Sequence, residues 1–298
     1  MILIIGSTGM VGQEICKLLS KKGKDVLAMV RESSKKEKVD SLNQLGVKTF
    51  IGDIKNPATY IEHLRGVSTI ITTLSSMPFS YIPGENDINS VDKVGMINLI
   101  DNAKNAGVDH FIYTSFSENI NIEFPLNEAK RNVEGHLKNS GMKYTILRPS
   151  YFTEVWLSPA VGFDVLGNKV QIFGDGSKPI SYISLYDVAQ FAVESIDNPY
   201  AINKTLELGG PEKISQLDAL HIFEDIAGKK VDVESIPVEA LKAQREVADD
   251  PMQKSFSGLM ENAAMGDEID MTENLNHFSL KLRPVKYFAQ EIFEVNKK

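Results

Sequence analysis

The stretch FPLNEAKRNVEGH (residues 124–136) places Lys130 one helical turn after Leu126. A lysine so placed can work in acid/base chemistry when burial lowers its pKa, clamp a bound nucleotide, or sit as a solvated charge. A second chemical signal stands at the start of the chain. In ILIIGSTGMVGQE a β-branched run passes straight into Gly6, Gly9 and Gly12 and then into an amphipathic segment. A glycine at the strand end allows a sharp turn, the next lets a pyrophosphate approach the backbone, and the last packs helix against sheet. The helix N-terminus then offers amide hydrogens and a positive dipole. A glycine-rich turn that binds nothing is the alternative, but strand, loop and helix in this order, with further α/β units behind them, favour the nucleotide.

Other positions of chemical interest fall where strands end. DVLAMV ends at Arg31, where an NAD-specific chain carries an acid for the ribose hydroxyls; a guanidinium there suits a 2′-phosphate and favours NADP(H) over NAD(H). Glu32 follows at once, and Arg31 with Lys35 and Lys36 also reads as the solvated face of a surface loop. Asp53, in FIGDIKNP, can accept from an adenine amino group or cap a helix starting near Pro57. Ser75 and Ser76 end the fourth strand, before the long loop MPFSYIPGEND, which reads as a lid or as a plain surface loop. Ser115, in YTSFSEN, lies at the carboxyl edge of the sheet, placed to orient a substrate oxygen or to cap its own turn.

After the RPS turn, Tyr151, Phe152 and Trp156 can wall a pocket with aromatic faces or simply fill the core. The expected cofactor contacts are thus Gly6, Ser7, Thr8, Gly9, Met10, Val11 and Gly12, then Arg31, Asp53 with Ile54, Leu74 with Ser75, Lys130, Tyr151 and Phe152. Ser76, Phe116, Tyr151 and Trp156 are the expected substrate contacts.

Positioning these groups requires a particular order of elements. ILII, VGQEICKLLSKKG, DVLAMV, KTFIG, ATYIEHLRG, STIITTL, VDKVGMINLIDNAKNAG, HFIYTS, AKRNVEGHLKNSG and KYTILRP alternate short β-branched runs with amphipathic ones. That reads as βαβαβαβαβαβ, a doubly wound parallel sheet of Rossmann type. Gly23, Gly66, Gly107 and Gly141 each close an amphipathic run. A nucleotide-binding domain over residues 1–150 and a smaller α+β substrate lobe over 151–298, with some segments returning to the first, follow from where the repeat stops. In the second part the sequence predicts a turn at Gly174-Asp175-Gly176, a strand at about 180–183, a helix capped by Asp187, and a helix near 216–227 opened by a Ser215/Asp218 capping box. Residues 238–275, charged and Met-rich, read as helical, and Pro284 as the first turn of a closing helix.

The composition narrows the classes of function. A length of 298 residues with 42% hydrophobic content buries a core. A net charge of -8 and a pI near 5.3 argue against a nucleic-acid partner, the only local basic run being Lys35, Lys36 and Lys38. The lone Cys16 lies in an apolar-periodic stretch, which points to a reducing, cytoplasmic setting. No apolar run approaches the ~20 residues of a membrane helix, and MILIIG lacks the marks of a signal peptide. His63, His110, His136, His221 and His277 are scattered without metal-ligand spacing and read as surface or capping residues. Neither TSFSE nor LSSMP supplies a hydrolase elbow.

Taken together, GSTGMVG, the VR after the second strand, the GD after the third, and AKRNVEGHLKNSGMKYTILRPSYF resemble the NmrA-like, atypical short-chain dehydrogenases. The resemblance covers essentially the whole chain, best from Met1 to about Phe152. It implies the fold and a nicotinamide cofactor more firmly than a reaction, since the group holds isoflavone-type, quinone and dye reductases as well as NADP(H)-sensing regulators without turnover. Ordinary short-chain dehydrogenases carry a catalytic tyrosine four residues before a lysine; the matching pair here is Leu126 and Lys130. In the atypical reductases a lysine at this point is thought to act without the tyrosine, and its place in AKRNVEGHL carries that role to Lys130. With no phenol, Lys130 stabilises the developing charge or the acceptor delocalises its own, as a quinone or conjugated carbonyl can. The expectation is an NADPH-dependent reductase of a small apolar acceptor, with Lys130 and Ser115 as its catalytic groups. The alternative is a non-catalytic NADP(H) redox sensor that regulates a partner protein. Family habit adds a homodimer.

Overall fold

Runs of aliphatic and β-branched residues become strands wherever both of their faces are covered. The structure, a computed structural model, describes residues 1–78 and 80–295. In chain order the first elements are β1 (Ile2–Ile5), α1 (Met10–Lys21), β2 (Val26–Val30), α2 (Lys36–Gln44), β3 (Lys48–Ile51), β4 (Thr69–Thr72), a π-helix (Ile88–Gly95), α3 (Met96–Asn105), β5 (His110–Thr114), α4 (Pro125–Asn139) and β6 (Lys143–Pro149). Then come α5 (Thr153–Trp156), β7 (Phe163–Asp164), β8 (Lys169–Phe173), β9 (Pro179–Ile180), α6 (Leu185–Glu194), β10 (Lys204–Leu208), β11 (Ile214–Ser215) and α7 (Gln216–Ala227). β12 (Asp232–Ile236), α8 (Val238–Val247), α9 (Pro251–Met265), α10 (Thr272–His277) and α11 (Val285–Val295) complete the chain.

Two compact units emerge. The first comprises Met1–Ser115, Pro125–Arg148 and Val188–Leu206; the second comprises Phe116–Phe124, Pro149–Asp187 and Glu207–Lys298.

The main sheet has seven strands in the order β10-β6-β5-β4-β1-β2-β3. β1 pairs in parallel with both β2 and β4, with Ile4 opposite Ala28 on one side and Ile71 on the other. The strand order therefore reverses between β1 and β4, the switch point at whose carboxyl end open α/β sheets bind ligands. Every residue of β1, β2, β4 and β5 is buried, as strands covered on both faces require. Leu3, Ile5, Ile70, Phe111, Leu99 and Leu137 are among the side chains of the core they share with the helices.

Two segments of this unit differ from the sequence reading. ATYIEHLRG does not form a helix but two 3₁₀ turns, Pro57–Thr59 and Ile61–Leu64. The reason is local: Thr59 Oγ1 donates to the Asn56 carbonyl at 2.7 Å and accepts from the Asp53 N–H at 2.9 Å, which gives the backbone partners other than those of a helix. VDKVGMINLIDNAKNAG is divided between the end of the π-helix and α3. The glycines fare as expected, with φ between +65° and +81° at Gly23, Gly66, Gly107 and Gly141.

His110 is a correction, since it lies buried at the start of β5 rather than at the surface, its Nε2 2.9 Å from Thr145 Oγ1. Burial lowers its pKa from 6.5 to about 4, Asp109 opposing and Lys143 assisting. A depressed folded-state pKa contributes stability above pH 6.5 that is lost as the pH falls through about 4. Acidification from pH 6.5 to 5 should therefore cost about 2 kcal/mol at this site. Denaturant melts of His110→Gln across that range should lack this part of the slope; an unchanged slope contradicts it.

In the second unit β12, β8 and β7 form a three-stranded sheet, and β11 pairs antiparallel with β9. α7 opens with the expected capping box, Ser215 Oγ accepting from the Asp218 N–H at 3.0 Å. Residues 238–275 are helical over α8, α9 and α10, and α11 follows directly on Pro284. The strand expected at 180–183 is reduced to β9 and an isolated bridge between Ile183 and Phe152. Asp187 is not the cap of α6 but a buried residue of its first turn, accepting from the Arg283 N–H at 2.8 Å. Burial pushes its carboxyl up to about 6. No described helix is long and apolar enough to cross a membrane.

Candidate functional site

The glycine loop has the close-packed geometry that its spacing implies. Gly6 has φ +85°, and a Cβ there would lie 3.0 Å from both the Leu74 nitrogen and Thr73 Oγ1. A Cβ on Gly12 would lie only 2.2 Å from the Gly6 carbonyl oxygen. The loop is pinned by its own bonds: the Gly9 N–H donates to the Gly6 carbonyl at 2.9 Å, and the Ser7 hydroxyl to the Met29 carbonyl at 2.8 Å, tying it to β2. Gly9 is the N-cap of α1 and supplies no capping side chain. An uncapped helix N-terminus behind a glycine-rich loop fits a dinucleotide pyrophosphate, because bare amides and the dipole face the same place. Thr8, Met10 and Val11 complete the loop, Met10 being 43% exposed at the helix start.

The ends of the next strands hold the remaining cofactor positions. Arg31 follows β2; its N–H donates to Ser34 Oγ at 3.0 Å, and its guanidinium makes no ion pair among the described residues. The basic run behind it opens α2, with Lys35 at the N-cap position and Lys36 and Lys38 in the helix, and Lys35 and Lys36 are exposed. Lys38 Nζ donates to the Thr8 carbonyl at 2.7 Å, so one of these lysines braces the glycine loop. Asp53 does not cap a helix, because Asn56 takes that place at the Pro57–Thr59 turn. The Asp53 carboxylate instead accepts from the Lys55 N–H at 2.9 Å, with its other oxygen 3.4 Å from Lys55 Nζ. Ile54 is buried beside Gly95, where an added Cβ would come within 3.1 Å of its side chain.

After β4, Leu74 touches both the loop and Lys130, and Ser75 Oγ accepts from the Met77 N–H at 3.3 Å. Ser76 is fully buried, giving its N–H and its hydroxyl to Asp92 Oδ2 at 3.0 and 2.6 Å. Within MPFSYIPGEND, Phe79 lies outside the described residues.

Lys130 is 5% exposed, which removes the solvated-charge reading. It stands on the buried face of α4, between Leu126 and Glu134, and Leu126 is buried as well. Its ammonium donates to the Thr114 carbonyl at 3.2 Å and the Leu74 carbonyl at 3.5 Å, and it lies 5.1 Å from the Tyr113 ring centroid. Burial lowers its pKa, while the nearby Asp92 and Glu134 carboxylates oppose that fall. The Thr114 carbonyl at the end of β5 and the Leu74 carbonyl just past β4 thus hold a desolvated cation at the carboxyl edge of the sheet, and the same Leu74 borders Gly6 through its backbone nitrogen.

Several polar atoms around this lysine are buried without a hydrogen-bond partner, namely Tyr113 Oη, Thr114 Oγ1, Ser115 Oγ and Asp92 Oδ1. The Ser115 hydroxyl therefore does not cap its turn. Burial raises the Tyr113 phenol well above 10, with Asp92 and Glu134 adding to the effect. The Glu134 carboxylate is penalised by burial, but hydrogen bonds from Arg148, as short as 2.5 Å, outweigh this and keep it low.

The remaining candidates belong to the second unit, where they are joined to one another. Tyr151 and Trp156 meet edge-on with centroids 4.6 Å apart, Trp156 meets Phe173 at 6.2 Å, and Phe116 lies 6.2 Å from Phe124. The Tyr151 hydroxyl donates to the Leu259 carbonyl at 3.1 Å, and the residue is buried, so it takes part in core packing. Phe152 is half-buried at the bridge to Ile183.

Asp92, Tyr113, Glu134 and Lys38 are absent from the sequence-derived set. Glu134 carried a readable signal, since it follows Lys130 by four residues on the same helical face. Asp92 shares the buried face of its segment with Ile88, Val91 and Gly95, and a carboxylate at such a position gives no sign in the sequence of being covered.

A doubly wound sheet whose first strand feeds a tight glycine loop and an uncapped helix defines a Rossmann-type α/β protein. The chain belongs to the NmrA-like family, whose model matches residues 1–291. It is 29% identical over 248 residues to the photosystem II assembly factor Ycf39 of Trieres chinensis, covering 83% of this chain and 75% of that one. It is also 29% identical over 248 residues to an NAD(P)H azoreductase of Xenophilus azovorans, with coverages of 81% and 79%. Among solved structures, an NADPH-dependent quinone oxidoreductase of Escherichia coli complexed with NADPH superposes with a TM-score of 0.76 at 22% identity, covering 98% of this chain and all of that one.

Proposed function

We propose that the protein is an NADPH-dependent reductase that delivers hydride to a small apolar acceptor such as a quinone or conjugated carbonyl. The observation that carries this reading is the buried Lys130 ammonium, held by the Leu74 and Thr114 carbonyls beside a glycine loop that Leu74 also touches. A bound nicotinamide supplies the hydride. Gly6, Gly9 and Gly12 receive the pyrophosphate, and the unpaired Arg31 guanidinium receives the 2′-phosphate. Lys130 anchors the ribose and stabilises the negative charge that develops on the acceptor oxygen, in a site where low dielectric strengthens such an interaction. Leu126 offers no proton, which favours acceptors that delocalise charge. The family relatives named for azo and quinone reduction support the same class of acceptor. The lone Cys16, whose thiol burial pushes up to about 12, fits a reducing, cytoplasmic setting.

The test is nicotinamide oxidation by the purified protein with a panel of quinones and conjugated carbonyls, under NADPH and under NADH. NADPH should be preferred, and Arg31→Ser should erase about tenfold or more of that preference by removing a charge-assisted contact. Equal use of both cofactors by the wild type sinks the phosphate role of Arg31. A second reading, a redox sensor without turnover, is favoured by Leu126 and by the relative named as an assembly factor. Absent oxidation, together with a change of oligomeric state when NADPH replaces NADP⁺, would select it.

A further inference from the structure

Asp92 stands on the π-helix Ile88–Gly95, a rare form that recurs at functional sites. Its carboxylate is only 1% exposed. Both of its protein donors, the N–H and the hydroxyl of Ser76, bind the same oxygen, Oδ2. Oδ1 accepts nothing. A buried carboxylate oxygen left without a donor is costly, and evolution keeps such an arrangement where the charge has a task.

Lys130 presents the complementary deficit. Its ammonium is buried, its contacts are two neutral carbonyls, and it forms no ion pair among the described residues. The charged and titratable groups around it come from three elements: Arg131 and Glu134 share α4 with it, the Tyr113 ring of β5 lies 5.1 Å away, and Asp92 of the π-helix is bonded by Ser76, two residues beyond the Leu74 carbonyl that Lys130 holds. Glu134 is already matched, bonded to Arg148 and, at 2.7 Å, to Arg131. Tyr113 is held neutral by burial. Lys93, on the π-helix, is turned to Glu128 at 3.2 Å. Asp92 is the anion near Lys130 that no cation touches.

We infer that Asp92 is a positioning residue for Lys130: its free oxygen is the counter-charge to the buried ammonium, and the two bonds from Ser76 hold that carboxylate in place. The inference rests on the reading of Lys130 as the cationic group of the site and adds to it what maintains that cation. Neither residue touches the other directly, so the coupling is through the low-dielectric interior.

The test is a titration of protein carrying [ε-¹³C]lysine, with the Lys130 resonance identified by its loss in Lys130→Met. In Asp92→Asn the Lys130 midpoint should fall by about one pH unit or more, because the cost of burying the ammonium is then left uncompensated. An unchanged midpoint overturns the inference. Should Asp92→Asn fail to fold, the wild type decides: with carboxyl-labelled aspartate, the Lys130 ε-carbon must shift as the Asp92 carboxyl titrates, and its indifference overturns the inference equally. No acceptor enters this measurement, so a protein that reduces nothing would still be judged by the same shift.

Discussion

Gly12→Ala is expected to cut NADPH affinity about a hundredfold, and Gly9→Ala about tenfold or less. The difference lies in what each new methyl would meet. At Gly12 an added Cβ falls 2.2 Å from the Gly6 oxygen, 2.8 Å from the Gly6 carbonyl carbon and 2.9 Å from Ser7 Cα, all of them backbone atoms. Backbone cannot swing aside as a side chain can, so α1 must move away from the loop or the loop must open. Gly6 cannot absorb the strain, since its own φ of +85° and its 3.0 Å approach to Leu74 and Thr73 leave it no room. Forced overpacking of this kind costs about 3 kcal/mol, and if it is taken from the loop geometry the affinity falls by about a hundredfold. At Gly9 the nearest atom is the Gly6 oxygen at 3.2 Å, close enough to perturb but small enough to relax, for a loss of about tenfold or less. Calorimetric titration of NADPH into both variants checks this. Equal affinities for Gly12→Ala and wild type would remove the loop from the nucleotide site.

Lys130→Met is expected to reduce acceptor turnover by about a hundredfold or more, with NADPH affinity changed by less than about tenfold. Methionine fills the same buried volume on α4 without charge, so the fold should survive: removing a desolvated ammonium relieves a burial cost, although the carbonyls of Leu74 and Thr114 lose a donor. What disappears is the cation facing the developing oxyanion. Most of the cofactor's binding would still come from the loop, the dipole of α1 and Arg31. Steady-state kinetics and NADPH titration on the same preparation separate the two effects, and turnover within about twofold of wild type would end the catalytic reading of Lys130.

How far the sequence led depends on how local each signal is. β1, the glycine loop and α1 were legible because strand, turn and helix follow one another within about twenty residues and each glycine has a distinct steric task. The capping box of α7 was legible for the same reason, since Ser215 and Asp218 meet within one turn. ATYIEHLRG misled because its apolar spacing suits a helix, whereas hydrogen bonds of Asn56 and Thr59, visible only in three dimensions, hold it as 3₁₀ turns. His110 misled because a histidine opening a strand gives no sign of being covered; its partner Thr145 comes from the neighbouring strand, thirty-five positions on. Lys130 was located by its motif, but not its burial, which depends on Thr114 and Leu74 arriving from other strands. Asp92 was the least legible, since a π-helix has no sequence period that distinguishes it from the α-helix it continues into.

The most direct test of the proposed function follows deuterium. The protein would be given NADPH deuterated at the transferring carbon of the nicotinamide, with conjugated carbonyl acceptors whose reduced products keep the label on carbon. A stereospecific gain of one deuterium in the product, lost in Lys130→Met, is the expected result. Products without label would contradict hydride transfer, and no product at all from a protein shown to bind NADPH would leave the sensor as the reading of this site.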